Sequence, residues 1–99
     1  FGLPDPSYFP DHIYQSYVVR LELPQDQNSL DVAAELRNSD IEATYGTHAI
    51  PDLPAYRASQ ATCPEAREAQ RTTLALPFHS SLTLAEIDRV CAKLIELLA

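Results

Sequence analysis

Methionine and tryptophan are absent from this 99-residue chain, and glycine and cysteine occur twice each. Each scarcity excludes something. With only Gly2 and Gly46 present, no glycine-rich loop can cradle a phosphate on successive N–H groups, and neither a GxSxG elbow nor a Walker-type pattern occurs. Cys63 and Cys91 fall in different predicted elements and form no CxxC, so they read as two reduced thiols, which fits a cytoplasmic setting. His12, His48 and His79 stand at no zinc-ligand spacing with one another or with a cysteine. No apolar run approaches the ~20 residues that cross a bilayer. A net charge of −7 and a pI near 4.7 leave little to attract the phosphates of nucleic acid. Phe1-Gly2-Leu3-Pro4 has no basic stretch leading into an apolar one, so it is no signal peptide. With no initiator methionine either, the chain is expected to have been cut from something longer.

Lys93 is the sole lysine. It lies on the polar side of a predicted helix near that helix's C-terminus, a favourable place for a solvated cation. A Schiff-base lysine needs instead an apolar or cationic pocket that lowers its pKa. Asp26, Asp31 and Glu35 sit on predicted surfaces, where carboxylates normally face water, so no acid pair is assembled for general acid–base work.

What is present is one domain's worth of chain. Its hydrophobic fraction of 45% is that of a globular protein. A chain of this size buries roughly 60–70% of its unfolded surface, enough for one core but too little for a core plus a deep enclosed site. Phe1 to Asp11 carries Pro4, Pro6 and Pro10 and reads as an extended, loosely held arm; residues 12–99 form the domain. Tyr17, Val19, Leu21 and Leu23 alternate with Val18, Arg20 and Glu22, the period of a strand with one buried face. Asn28 or Ser29 caps a helix to about Arg37, with Asp31 in its first turn and Leu30, Ala33, Ala34 and Leu36 as its apolar stripe. Asn38-Ser39-Asp40 ends it, Asn tolerating the left-handed cap. Ile41 to His48 reads as a second strand. Leu53 to Ala58 reads as a single helical turn, and Pro64 opens another helix at its first position.

Leu74 to Ile87 is the most informative stretch. A short strand stops at Pro77, which has no N–H to donate. A loop carries Phe78 and His79. Thr83 and Glu86 then stand at capping-box spacing, flanked by Leu82 and Ile87 as in a hydrophobic staple. Ile87, Val90, Cys91, Leu94, Ile95, Leu97 and Leu98 give the last helix a broad apolar face. The order strand–helix–strand–helix–strand–helix predicts an α+β two-layer sandwich, a small three-stranded sheet with helices on one face. The other face is solvated or covered by something outside the chain. Gln15, Tyr45, Thr47, His48 and Tyr56, together with Tyr14, fall at strand ends and in the loop after strand two, where binding groups often sit on a rigid scaffold.

Four segments resemble one known family in order and spacing. His12-Ile13-Tyr14-Gln15-Ser16-Tyr17-Val18-Val19-Arg20 resembles the strand that opens the small C-terminal domain of the DegT/DnrJ/StrS family. These are pyridoxal-phosphate-dependent sugar aminotransferases of type I fold. Gly46-Thr47-His48-Ala49-Ile50 with Leu53-Pro54-Ala55-Tyr56-Arg57 resembles the family's segment ending in Pro-Ala-Tyr. Cys63-Pro64-Glu65-Ala66 resembles the start of its next helix, and Leu74-Ala75-Leu76-Pro77-Phe78-His79 with Leu82-Thr83 and Glu86-Ile87 its closing loop and terminal helix. The chain departs from the family where Asp40 stands for a common glycine, where Pro51 precedes the Pro-Ala-Tyr segment in place of a histidine, and at Gln15, where others carry histidine.

The resemblance implies a C-terminal small domain whose partner is a large domain upstream, which holds pyridoxal phosphate and its lysine. It further implies a homodimeric parent and a nucleotide-sugar substrate that takes an amino group from an amino acid. Gln15, Tyr45, Thr47, His48 and Tyr56 would then form part of the substrate wall, and the fragment alone would not be catalytic. A related sugar dehydratase, or a free-standing α+β binding module, remains an alternative reading of the same residues. A small domain separated from its neighbour is expected to expose an apolar patch, through which it can self-associate.

Overall fold

The computed structural model describes residues 2–8 and 10–99. The elements run β1 (Tyr17–Arg20), α1 (Ser29–Arg37), β2 (Thr44–Tyr45), α2 (Pro64–Thr72), β3 (Thr73–Leu76) and α3 (Leu84–Leu98), with 3-10 turns at Ile50–Asp52 and Arg57–Ser59 between β2 and α2. The sheet order is β1-β3-β2 and both pairings are antiparallel. Tyr17 faces Leu76 and Arg20 faces Thr73 across one ladder, and Thr44 faces Ala75 across the other. The α+β two-layer class read from the element order is the class observed.

The core lies between the inner face of the sheet and the helices. Val19, Leu21 and Leu74 meet Val32, Ala33 and Leu36 of α1 and Leu94 of α3, with Ile41 and Ala43 closing the cluster. Full burial of a Val or Leu side chain contributes roughly 1.5–3 kcal/mol, so these few contacts carry most of the fold.

Local chemistry explains where the elements start and stop. Asn28, rather than Ser29, caps α1: its Oδ1 accepts from the N–H groups of Leu30 and Asp31 at 2.9 and 3.2 Å, and the Asp31 carboxylate accepts from the Asn28 N–H at 2.9 Å. Ser29 is buried, and its hydroxyl donates to the Gln70 carbonyl at 2.8 Å, which fixes the rotation of the helix. The inward face is therefore Ser29, Val32, Ala33 and Leu36. Leu30 and Ala34, expected in the stripe, point outward.

At the other end the helix closes on Asp40, not Asn38. Asn38 keeps right-handed helical geometry, and Asp40 takes the left-handed one, with φ 60°. The Asp40 N–H donates to Arg37 O and the Ile41 N–H to Leu36 O, both at 3.0 Å, the two bonds of a Schellman motif. Leu36 and Ile41 supply its apolar contact inside the core.

The second strand is shorter than Ile41–His48. The next hydrogen-bonded pair before Thr44–Ala75 would be Glu42 with Pro77, which has no N–H to donate, and the Gly46 N–H makes the last sheet contact, to Thr73 O at 3.1 Å; the Ala43 carbonyl, on the edge away from β3, accepts from Arg37 Nη2 at 3.1 Å. The turn expected over Leu53–Ala58 is present as a hydrogen-bonded turn, the Tyr56 N–H donating to Leu53 O at 2.9 Å, that runs into the second 3-10 turn. The capping box of α3 is present: Thr83 Oγ1 accepts from the Glu86 N–H, and Glu86 Oε2 from the Thr83 N–H, both at 3.2 Å. Of its expected apolar face, Val90, Leu94, Leu97 and Leu98 turn inward. Cys91 and Ile95 do not, and Ile87 stays partly open in the first turn.

Among its described residues, the arm pairs with the sheet at Gly2. Gly2 exchanges two backbone hydrogen bonds with Arg20, at 2.7 and 2.9 Å, and so pairs with the outer edge of β1. Phe1 and Phe9, also assigned to the arm, lie outside the described residues.

Candidate functional site

The antiparallel register divides the sequence-predicted site residues between two ends of the sheet. Tyr17 opens β1 opposite Leu76, at the C-terminal end of β3. Gln15 therefore belongs to that end. Tyr45 pairs with Leu74 and Gly46 bonds to Thr73, so Thr47 and His48 leave the sheet at the opposite end of β3.

At the Thr73 end the rings of Tyr45 and His48 meet edge to face, with centroids 5.0 Å apart. Tyr45 is half-buried, and Thr47 and His48 are exposed. The next residue is held firmly: Ala49 is fully buried and its N–H donates to Gln70 Oε1 at 2.5 Å. Asp52 anchors the loop that follows. Its carboxylate pairs with Arg67 at 2.9 Å and its carbonyl accepts from Arg57 Nε at 3.2 Å. These contacts present Tyr56 at the surface, 54% exposed.

At the Leu76 end Gln15 is exposed beside an aromatic row that sequence reading largely missed. Centroid distances are 4.4 Å from His12 to Tyr14, 6.3 Å from Tyr14 to Tyr17 and 6.1 Å from Tyr17 to Phe78. Tyr14 stands at φ 49°, a left-handed conformation that costs a bulky residue of order 1–3 kcal/mol. His12 Nδ1 accepts from the Tyr14 N–H at 2.8 Å and helps hold it there. The signal in the sequence was the interval between His12, Tyr14 and Tyr17, but Phe78 joins them only through the β1–β3 register.

Two open grooves flank these ends. One, of about 950 Å³, lies where Ile41–Thr44 and Leu76–His79 splay apart, with Arg37 and Arg89 on its rim. Arg89 there donates to the Ser39 carbonyl. The other, of about 710 Å³, lies between the arm and the sheet's outer face, with Tyr8, His12, Tyr14, Val18 and Arg20 among its walls. None of Gln15, Tyr45, Thr47, His48 and Tyr56 lines either groove, although the neighbours of Gln15, Tyr14 and Ser16, do.

The electrostatics are those of exposed structural pairs. The Arg71 guanidinium forks onto Glu68 at 2.7 and 2.9 Å and holds that carboxyl below its ordinary range; the pairing raises Arg71 in turn. Arg71 Nη1 also donates to the carbonyls of Pro24 and Gln27, clamping the turn before α1. Ser7 lowers Asp5 through its hydroxyl and its N–H. No cluster of three or more histidine, cysteine or carboxylate groups able to hold a metal occurs among the described residues.

Lys93 Nζ bonds Glu96 at 3.1 Å on the flank of α3. The described residues thus offer neither a pocketed amine nor a phosphate cradle. They do not fit a pyridoxal cofactor by themselves. What they can do is present aromatic rings, hydroxyls and amides to a ligand held by something else.

Comparison with known proteins bears on what that could be. The sequence model of the DegT/DnrJ/EryC1/StrS aminotransferase family matches residues 3–95. Among solved structures, the chain is similar to Spr1654 of Streptococcus pneumoniae, assigned as a sugar aminotransferase and solved in its PMP form. The TM-score is 0.66 at 20% identity, over 80% of this chain and 21% of that one. The chain thus spans about a fifth of that protein's length. No curated protein sequence matches.

Proposed function

We propose, from the premise that the chain belongs to the DegT/DnrJ/EryC1/StrS aminotransferase family, that it is the small C-terminal domain of a pyridoxal-phosphate-dependent nucleotide-sugar aminotransferase. A large upstream domain holds the cofactor and the reactive lysine. When bound there, the cofactor serves as an electron sink for moving an amino group from an amino acid to a keto sugar. This chain's residues contribute recognition. Tyr45, Thr47, His48 and Tyr56 offer hydroxyls, an imidazole and aromatic surface at one end of the sheet, and Gln15 an amide at the other. The parent is a cytoplasmic homodimer.

The observation that carries the reading is the match over residues 3–95 in a chain whose single lysine is tied to Glu96 on a helix flank. The chemistry has to come from elsewhere, and the family match names the kind of protein that would bring it. No helix among the described residues is long and apolar enough to cross a membrane.

The test is to clone the whole reading frame around Phe1 and assay it with keto nucleotide sugars and amino donors. Amino transfer is expected, and His48→Ala should raise KM for the sugar substrate more than it lowers kcat. A reading frame that starts close to Phe1, or dehydration of the sugar without amino transfer, would overturn the assignment.

A further inference from the structure

Helix α3 has more apolar surface than its own domain uses. At 3.6 residues per turn, Glu86, Arg89, Lys93 and Glu96 share an arc of about 80°. Val90, Leu94, Leu97 and Leu98 face the core. The remaining arc carries Leu84, Cys91 and Ile95 with Ala85 and Ala92, and Asp88 is its one charge; Ile87 falls between Leu94 and Leu98 and stays partly open in the first turn of the helix. Leu84 is 81% exposed, Ile95 57% and Ile87 41%. The helix thus exposes apolar side chains beyond the stripe that meets its own core, and only that stripe has a partner here.

We infer that this outer face of α3 is the seat of the large upstream domain. The inference rests on the proposed function above. One other occupant and one other face fit less well. A second copy of this chain would bring together two bodies each of charge −7. The face is also small for that purpose: fifteen residues of helix span roughly 22 Å, so one stripe offers of order 200–300 Å² per copy, against the ~800 Å² per partner of a stable complex. The sheet's outer face, which carries Val18 and Ala75 along with Arg20, Thr44 and Thr73, is already bordered by the arm, whose residues form a groove with it. A large domain can cover α3 as one part of a wider contact. Only 21% of the similar solved chain is matched, so most of such a protein lies outside this one.

Cys91, exposed in the middle of the stripe, reports on the contact directly. The experiment is thiol labelling of the native full-length protein, read by mass spectrometry, with the urea-unfolded protein as reference. Cys91 is expected to react at least about 100-fold more slowly in the native chain, as a site opened only by a protein fluctuation would. Ile95→Glu should raise that rate at least about tenfold at unchanged helical circular dichroism. Leu84→Glu, at a position the small domain leaves open, is the second variant should the first fail to fold. Labelling of Cys91 at the unfolded rate in a full-length, active aminotransferase would overturn the docking face and leave the proposed function standing. Protection that disappears on dilution, with Cys91–Cys91 cross-links between copies, would overturn it in favour of self-association. A gene with no upstream domain would remove both readings together.

Discussion

The backbone of Gly46 lies against the side chain of Thr73 so closely that a Cβ at position 46 would stand 2.5 Å from Thr73 Oγ1. It would also stand 2.6 Å from Val18 Cγ1. Real Cβ atoms do not approach so near, and both neighbours belong to the packed sheet. Gly46 therefore sets how tightly β2 closes on β3, and through β2 where Tyr45 and His48 stand. Gly46→Ala is expected to destabilise the domain by about 3 kcal/mol, the upper range for overpacking, and to broaden the resonances of His48. A urea midpoint equal to wild type would show that the sheet can open there at no cost.

Asp40 holds a left-handed position that glycine fills more easily. The penalty for a side chain there is roughly 1–2 kcal/mol, and glycine returns part of that gain as extra unfolded-state entropy, roughly 0.5–1 kcal/mol. Asp40→Gly should therefore stabilise the chain by roughly 0.5–1 kcal/mol. Chemical denaturation decides the sign, and a lowered midpoint would contradict it.

Asn28 satisfies two N–H groups of the first turn of α1. Asn28→Ala should cost about 1 kcal/mol, whereas Asn28→Ser should lose only a small part of that. Equal losses for the two would mean that the cap is not what holds this end of the helix.

Arg71 clamps the turn before α1 and owes its orientation to Glu68. The hydrogen bond from Arg71 depresses the Glu68 carboxyl, so the pair's contribution is present above the ordinary carboxylate range and is lost as pH falls through the lowered value. Glu68→Gln should therefore be less stable than wild type at neutral pH by a small margin that closes in acid. Arg71→Met should be worse at every pH, because the Pro24 and Gln27 carbonyls also lose their donor. A pH titration of the urea midpoint for the three proteins checks both statements.

Much of this fold was legible in the sequence because it is written in local chemistry. The Thr83–Glu86 box, Pro64 at the start of α2, Pro77 after β3 and the alternation over Tyr17–Leu23 are each decided within a few residues. What could not be read depends on partners far along the chain. The rotation of α1 follows from Ser29 reaching Gln70, and the shortness of β2 from Pro77 standing opposite Glu42 with no N–H to donate. The outward turn of Ile95 and Leu84 has no local cause, since apolar spacing says that a face is buried but not by what. The candidate site shows the same division. Tyr45 and His48 are neighbours in sequence and meet in space, whereas Phe78 joins Tyr14 and Tyr17 only through pairing across the sheet.

That these residues cannot hold the cofactor by themselves is tested most directly by titrating pyridoxal phosphate into the 99-residue chain, followed by borohydride reduction and peptide mapping. The expected result is no saturable one-to-one adduct on Lys93 and no amino transfer to a keto sugar. A stoichiometric adduct that Lys93→Ala abolishes, or turnover by the chain alone, would contradict it.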